Sequence, residues 1–176
     1  MERFGSLSGV LDASPQELEK VSQMGSASSS LIRLVKESCG TYLAEKMKQM
    51  DVLSSPQAVL DFARAKLAGR PHESFMVIFL NTKNHVLHHQ IVHEGTVNRA
   101  VIYPRRVIEE ALARNASGLI LVHNHPSGQS DHSSEDRQLT RALVEATRAL
   151  DIRVLDHIIV GKDGHFSFAE AQQLAD

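Results

Sequence analysis

The stretch that decides the fold of this chain reads GLILVHNHPSGQSDHSSED and occupies residues 118–136. Its first five residues form an apolar run that is typical of a buried strand. The run leads into His123 and His125, and residues two apart on an extended chain point the same way, so both imidazoles can reach one point. A loop rich in Pro, Ser and Gly then brings the chain back to Asp136.

Two imidazoles and one carboxylate form a ligand set for zinc. They leave the fourth position of a tetrahedral Zn²⁺ open, which is typical of a catalytic site rather than a closed structural one. We therefore predict one Zn²⁺ per chain, held by His123, His125 and Asp136. Because a His/His/Asp site is not specific for zinc, another divalent ion is the alternative.

A helix is predicted directly after this loop, because apolar residues from Leu139 to Leu150 recur at intervals of three or four. Ser133 stands at the N-cap position of this helix and Asp136 at N3, which is a capping-box pattern. We expect the cap to direct Asp136 toward the metal. The alternative is that Ser133 and Asp136 only cap the helix, with the two histidines as polar residues at a strand end.

The composition is that of an ordinary globular protein, with 42% hydrophobic and 23% charged residues. A net charge of -2 excludes a global basic field for nucleic acid. Cys39 is the single cysteine, which excludes an intrachain disulfide and a cysteine-based zinc site. No apolar run approaches the roughly 18 residues that span a bilayer, and no signal peptide is evident, so we expect a cytoplasmic protein without membrane contact.

The remaining pattern predicts two parts, a helical segment over residues 1–50 and an α/β domain over residues 51–176. Ser14 starts a helix in the first part, with proline at N1 and glutamate at N3. The second part is predicted to hold a mixed sheet flanked by helices. Its predicted strands cover residues 75–80, 85–93, 118–122, 154–160 and 165–168. Its predicted helices cover 106–114, 134–150 and a segment that starts at 56 and ends near 69–71.

The spacing of His123, His125, Ser133 and Asp136 resembles the JAMM motif of MPN-type metallohydrolases. The longer run LVHNHPSG, residues 121–128, resembles the RadC family in particular. Further matching segments lie at residues 94–97, 103–105, 115–116 and 153–161. The resemblance implies a JAMM/MPN-like fold, with a layer architecture like that of cytidine deaminases. It also implies hydrolysis of a peptide or isopeptide bond in a peptide or protein substrate, through a zinc-activated water.

The resemblance also suggests catalytic roles. In JAMM proteins the general base is a glutamate at the head of an apolar strand that follows a helix, and Glu73 fits that description. Ser133 would support the oxyanion. Many RadC-like chains have a glutamate five residues before Gly95, where this chain has Gln90, whose amide cannot act as a base. Glu94 shares a face with Gln90 if the strand is regular, and it is the alternative base.

Other polar residues receive supporting roles. Asn124 is expected to anchor the loop through hydrogen bonds, and Gly128 to allow a tight turn where the backbone passes the metal. His157 is predicted to form a hydrogen-bonded core pair with Asp156 rather than to be a ligand. His132 is predicted to be a solvent-exposed loop residue.

Residues 1–50 suggest a different function. Two short helices around a glycine-containing turn resemble the helix-hairpin-helix that commonly precedes the RadC domain, although the usual Gly-hydrophobic-Gly turn reads QMG at residues 23–25. DNA is therefore a possible partner of this segment. A DNA-associated repair accessory protein and a metal-binding scaffold without turnover are the alternatives to a hydrolase.

Overall fold

A five-stranded mixed sheet forms the centre of the protein. The computed structural model describes residues 3–48, 50–95, 102–162 and 164–174. The strands are β1 (Ser74–Leu80), β2 (Val86–Glu94), β3 (Gly118–Asn124), β4 (Arg153–Val160) and β5 (His165–Ser167), in the sheet order β2-β1-β3-β4-β5. β3 and β4 are parallel and the other neighbours are antiparallel. The predicted α/β fold with a mixed sheet is confirmed.

Helices cover both faces of this sheet. The helices are α1 (Leu7–Asp12), α2 (Pro15–Leu18), α3 (Ser26–Met47), α4 (Pro56–Leu67), α5 (Pro104–Ala113) and α6 (Ser134–Arg148). α3 and α4 pack on one face of the sheet, and α5 and α6 on the other. Proline stands at the first position of α2, α4 and α5, where its missing N–H costs no hydrogen bond. The long helix predicted for residues 134–150 ends at Arg148, and the other bounds also shift by one or two residues.

The interior strand β1 separates two hydrophobic cores. All seven of its residues are buried, which agrees with its continuous apolar run and with helices on both faces. Met76, Ile78 and Leu80 face a core shared with α3 and α4. Phe75, Val77 and Phe79 face a second core, shared with α5 and α6. Each large side chain buried in this way contributes about 1.5–3 kcal/mol relative to an exposed one.

Strand β2 lies at one end of the sheet and is irregular. Its pairing with β1 shifts register twice, because the partners of successive β1 residues skip Val92 and Leu87. Each skipped residue is an extra residue in β2, as in a β-bulge. The side chains of β2 therefore do not alternate regularly between the two faces, since each extra residue moves the following side chains to the other face.

The N-terminal helical segment packs against the sheet domain where its helix α3 contacts α4. Gln23, in the turn before α3, has a left-handed backbone with φ of 66°. Its position corresponds to the first glycine of the usual helix-hairpin-helix turn. DNA binding by residues 1–50 stays a prediction. In the part of the chain that the structure describes, no helix is long and apolar enough to cross a membrane.

Candidate metal centre

The two histidines of the His-x-His pattern lie at the end of β3. This strand continues to Asn124, two residues beyond the predicted end, because His123 pairs with Phe75 of β1 on one side and with Ile159 of β4 on the other. The backbone N–H of His125 donates to the carbonyl of Val160 at 3.1 Å, so it remains tied to β4. His123 is fully buried, whereas His125 is partly open to solvent.

Asp136 completes a compact group of three donors. The Nε2 atoms of His123 and His125 are 2.9 Å apart, His123 Nε2 is 3.2 Å from Asp136 Oδ1, and His125 Nε2 is 3.6 Å from Asp136 Oδ2. A tetrahedral zinc with bonds of roughly 2.0–2.1 Å places its ligand atoms about 3.3 Å apart. The three donors therefore fit a metal ion that retains an open position. Among the described residues, no other cluster of His, Cys, Asp or Glu meets this description.

The helix cap fixes the orientation of the Asp136 carboxylate. Both the backbone N–H and the hydroxyl of Ser133 donate to Asp136 Oδ2 at 2.7 Å, and the N–H of Asp136 donates back to Ser133 Oγ at 3.1 Å. The predicted capping box is thus present. Because the cap holds Oδ2, the other oxygen, Oδ1, faces His123.

Asp136 and the two histidines influence one another's pKa values. Burial acts to raise the pKa of the Asp136 carboxyl, but the imidazoles of His123 and His125, in their protonated forms, outweigh it and lower that pKa well below its usual range. The hydrogen bond with Asp136 raises the pKa of His125, and the Glu73 carboxylate adds a smaller effect in the same direction. Asp136 therefore keeps its negative charge next to the imidazole of His125, and this charge favours a cation at the same position.

Glu73 lies beside this group, at the head of β1. Glu73 lies two residues before Phe75, the β1 partner of His123, and lines a small open pocket together with Pro126 and Ser127. Asn124 holds the segment that carries Glu73. The side chain of Asn124 accepts from the N–H of Ser74 at 2.8 Å and donates to the carbonyl of His72 at 3.2 Å. These bonds clamp the two residues that flank Glu73 to the end of β3.

The alternative base, Glu94, and the residue at the usual glutamate position, Gln90, both lie on β2. Glu94 pairs with Ser74 in the sheet and Gln90 with Val77, so they lie on opposite faces of β2. The shared face required a regular strand, and β2 is not regular. The extra residue at Val92 is the cause. Glu94 forms an ion pair with Arg70.

Gln90 accepts a hydrogen bond from a single side chain at the far end of α5. Arg114 Nη2 donates to Gln90 Oε1 at 3.3 Å. This contact lies on the face of the sheet that packs against α5. Gln90 pairs with Val77 of β1, two residues from Phe75, which pairs with His123. Gln90 therefore has a partner of its own, away from the three donors.

The loop after β3 makes a tight turn at Gly128. Its N–H donates to the carbonyl of His125 at 3.0 Å, and its φ of +88° lies in the left-handed region that glycine favours. A Cβ at this position would approach the Cβ of Lys162 to 3.1 Å. His132, farther along the loop, is half-buried and hydrogen-bonds Gln173 at 2.7 Å. His132 is not among the three converging donors.

Sequence reasoning missed the contact between His157 and the metal-ligand candidate His123. His157 is fully buried in the core, as predicted, but its side chain does not pair with Asp156. Its Nε2 lies 2.9 Å from His123 Nδ1, and its Nδ1 lies 2.6 Å from Thr140 Oγ1. Burial lowers the pKa of His157 well below its usual range. The Asp156 carboxylate instead accepts from the backbone N–H of His157 and from the Ser167 hydroxyl.

This α/β sheet, with a His-x-His strand end facing an aspartate on a capped helix, defines a JAMM-type domain. The RadC-like JAB domain family matches residues 53–174, and the chain belongs to this family. The predicted resemblance is confirmed.

Curated relatives agree with this assignment. A UPF0758 protein of Methylibium petroleiphilum is 44% identical over 170 residues, which cover 97% of this chain and 77% of the relative. One from Stutzerimonas stutzeri is 42% identical over 170 residues, covering 97% and 76% of the two chains. One from Thiobacillus denitrificans is 42% identical over 174 residues, covering 99% and 78%. Nearly the whole chain, and therefore most of residues 1–50, has counterparts in these proteins.

Proposed function

We propose that this protein is a zinc-dependent hydrolase of peptide or isopeptide bonds, with one Zn²⁺ per chain held by His123, His125 and Asp136. The observation that carries the proposal is the spacing of these three donors, 2.9–3.6 Å apart. A zinc ion bound there would polarise a substrate carbonyl and lower the pKa of a coordinated water to about 7.

Glu73 would act as the general base. Its carboxylate accepts a proton from the attacking water and returns it to the leaving nitrogen, as the carbonyl carbon gains the water oxygen and its bond to nitrogen breaks. The clamp by Asn124 keeps Glu73 in a defined position relative to His125. A fixed base of this kind contributes about 10²–10⁴-fold to the rate.

Ser133 would support the oxyanion with its hydroxyl. That hydroxyl donates to Asp136 Oδ2 here, so it has to rotate toward the substrate. The backbone N–H of Ser133 continues to hold Oδ2 during this rotation, so Asp136 keeps one of its two donors. A hydroxyl donor to an oxyanion typically stabilises the transition state by about 2–4 kcal/mol.

Metal content tests the first part of this proposal. Purified wild-type protein should contain about one zinc per chain by elemental analysis. The double variant His123→Ala/His125→Ala should contain almost none. His132→Ala is the matched control, because it removes a loop histidine outside the donor group and should retain the metal. A wild-type protein that takes up no metal when zinc is supplied would contradict the proposal.

Paired glutamate variants test the base. Glu73→Gln should retain zinc and lose hydrolysis of a panel of peptides and peptide conjugates, because its amide cannot accept the proton. Glu94→Gln should retain both. Loss of hydrolysis in Glu94→Gln alone would move the base to Glu94. Zinc binding without turnover of any substrate in the wild type would favour the scaffold function instead.

A further inference from the structure

A chain of three buried hydrogen bonds links His123 to the helix that carries Asp136. His123 Nδ1 contacts His157 Nε2 at 2.9 Å, and His157 Nδ1 contacts Thr140 Oγ1 at 2.6 Å. Thr140 Oγ1 in turn lies 2.6 Å from the backbone carbonyl oxygen of Asp136. His123, His157 and Thr140 are each at most 1% exposed, so water does not compete for these bonds.

The fold brings these residues together from three elements. His123 on β3 and His157 on β4 lie on the same face of the sheet, because Leu121 and His123 share a face and Leu121 pairs with His157. Thr140 stands one turn after Asp136 on α6 and therefore points to the same side of the helix. The chain of bonds thus connects both strands to the ligand-bearing turn of α6.

The direction of each bond follows from counting protons. A carbonyl oxygen only accepts, so the single hydroxyl proton of Thr140 goes to Asp136. Thr140 Oγ1 must then accept from Nδ1–H of His157. A neutral imidazole carries one N–H, so Nε2 of His157 is bare and accepts from Nδ1–H of His123. The neutral form of His123 then has its lone pair on Nε2, the atom that faces Asp136 and His125.

Aromatic packing holds both rings in this orientation. The ring of Phe168 stacks on His157 at 5.0 Å with an interplanar angle of 10°. Phe75 meets His157 edge-on at 5.7 Å and stacks beside His123 at 6.1 Å. Packing fixes the ring planes, and a 180° flip of the His157 ring would break its hydrogen bonds with His123 and Thr140.

We propose that His157 and Thr140 are positioning residues, which fix His123 in the tautomer whose Nε2 is free to bind the metal. The proposal rests on the metal site of the proposed function. Metal-bound histidines generally donate their second N–H to a carboxylate, a carbonyl or water, and loss of that partner typically lowers metal affinity about 10–100-fold. Here an imidazole accepts that proton, and its own orientation depends on one threonine hydroxyl.

Two threonines on α6 provide a matched test. Thr140 and Thr147 are both buried, and each hydroxyl donates to the carbonyl four residues earlier. Only Thr140 contacts a histidine. Thr140→Val should weaken zinc binding about 10-fold or more in a competition titration with a chelator, whereas Thr147→Val should leave the dissociation constant unchanged. Equal dissociation constants for the two variants would overturn the proposal.

Substitutions of His157 separate positioning from packing. His157→Gln retains an oxygen that can accept from His123, so its zinc affinity should stay within a few-fold of the wild type. His157→Leu removes the acceptor and should lower affinity about 10–100-fold. Thermal unfolding of the metal-free proteins is measured in parallel. If affinity in the two variants follows thermal stability rather than the presence of an acceptor, the role is structural only and the proposal fails.

The tautomer of His157 gives a readout that needs no metal. Long-range ¹⁵N–¹H correlation spectra of the metal-free protein should show a proton on Nδ1 of His157 and none on Nε2. A proton on Nε2 would overturn the inference even if the protein binds zinc. Conversely, a wild-type protein with the expected tautomer but no zinc uptake would contradict the proposed function and leave the hydrogen-bond assignment correct.

Discussion

Replacing Ser133 by alanine should destabilise the metal-free protein by about 2 kcal/mol. The substitution removes the acceptor for the N–H of Asp136, and loss of an N-cap side chain typically costs about 1 kcal/mol. It also removes the hydroxyl donor to Asp136 Oδ2, and hydrogen bonds to charged groups contribute about 1.5–3 kcal/mol. The backbone N–H of Ser133 still donates to Oδ2 at 2.7 Å. We therefore assign less than about 1.5 kcal/mol to the loss of the hydroxyl hydrogen bond.

Urea unfolding of the metal-free protein measures this loss, and thermal unfolding should show a decrease in Tm of about 4–8 °C for a chain of this length. Ser14→Ala is the matched control, because Ser14 and Glu17 form the same capping box on the four-residue helix α2. It should cost less than about 1 kcal/mol, since this box lies on the surface and α2 is short. Equal losses in the two variants would refute the reasoning that the cap of α6 is tied to the buried Asp136.

Two further predictions concern Asn124 and His89. Asn124→Ala should destabilise the protein by about 1–3 kcal/mol in urea unfolding, because the N–H of Ser74 loses its buried acceptor; an unchanged midpoint would contradict the clamp. Burial, and to a smaller extent the charge of Lys66, lower the pKa of His89 from its ordinary 6.5 to about 4. Between these two pH values the unfolded state binds more protons than the folded state, so the free energy of unfolding falls as the pH drops from 6.5 toward 4. Because the side chain is only half-buried, we expect about 1–2 kcal/mol, which His89→Phe should remove from the pH dependence of urea unfolding.

The three metal-ligand candidates could be predicted because their geometry is local. His123 and His125 share a direction through the two-residue period of a strand, and Asp136 is oriented by the cap three residues before it. A contiguous stretch of 19 residues, 118–136, therefore contains the whole donor set. No long-range pairing had to be known.

The role of His157 could not be predicted because it depends on long-range pairing. Its contact with His123 requires β4 to lie next to β3 in one particular register. Its contact with Thr140 requires the helix between those strands to present that residue toward the sheet. The neighbouring Asp156 suggested a local pair, but an adjacent residue on a strand points to the opposite face. The bulges of β2 could not be predicted from the sequence for the same reason. A residue of β2 is recognised as extra only when its pairing with β1 is known.

The irregular strand β2 also has a consequence for solubility. It ends the sheet on one side, and a long flat strand in that position offers a row of unpaired N–H and C=O groups to other chains. The two extra residues at Leu87 and Val92 interrupt the even spacing of these groups, so a second copy cannot align with the strand over its full length. These irregularities are expected to disfavour edge-to-edge aggregation, and deleting Leu87, which would regularise one end of β2, is expected to make the protein more prone to form aggregates.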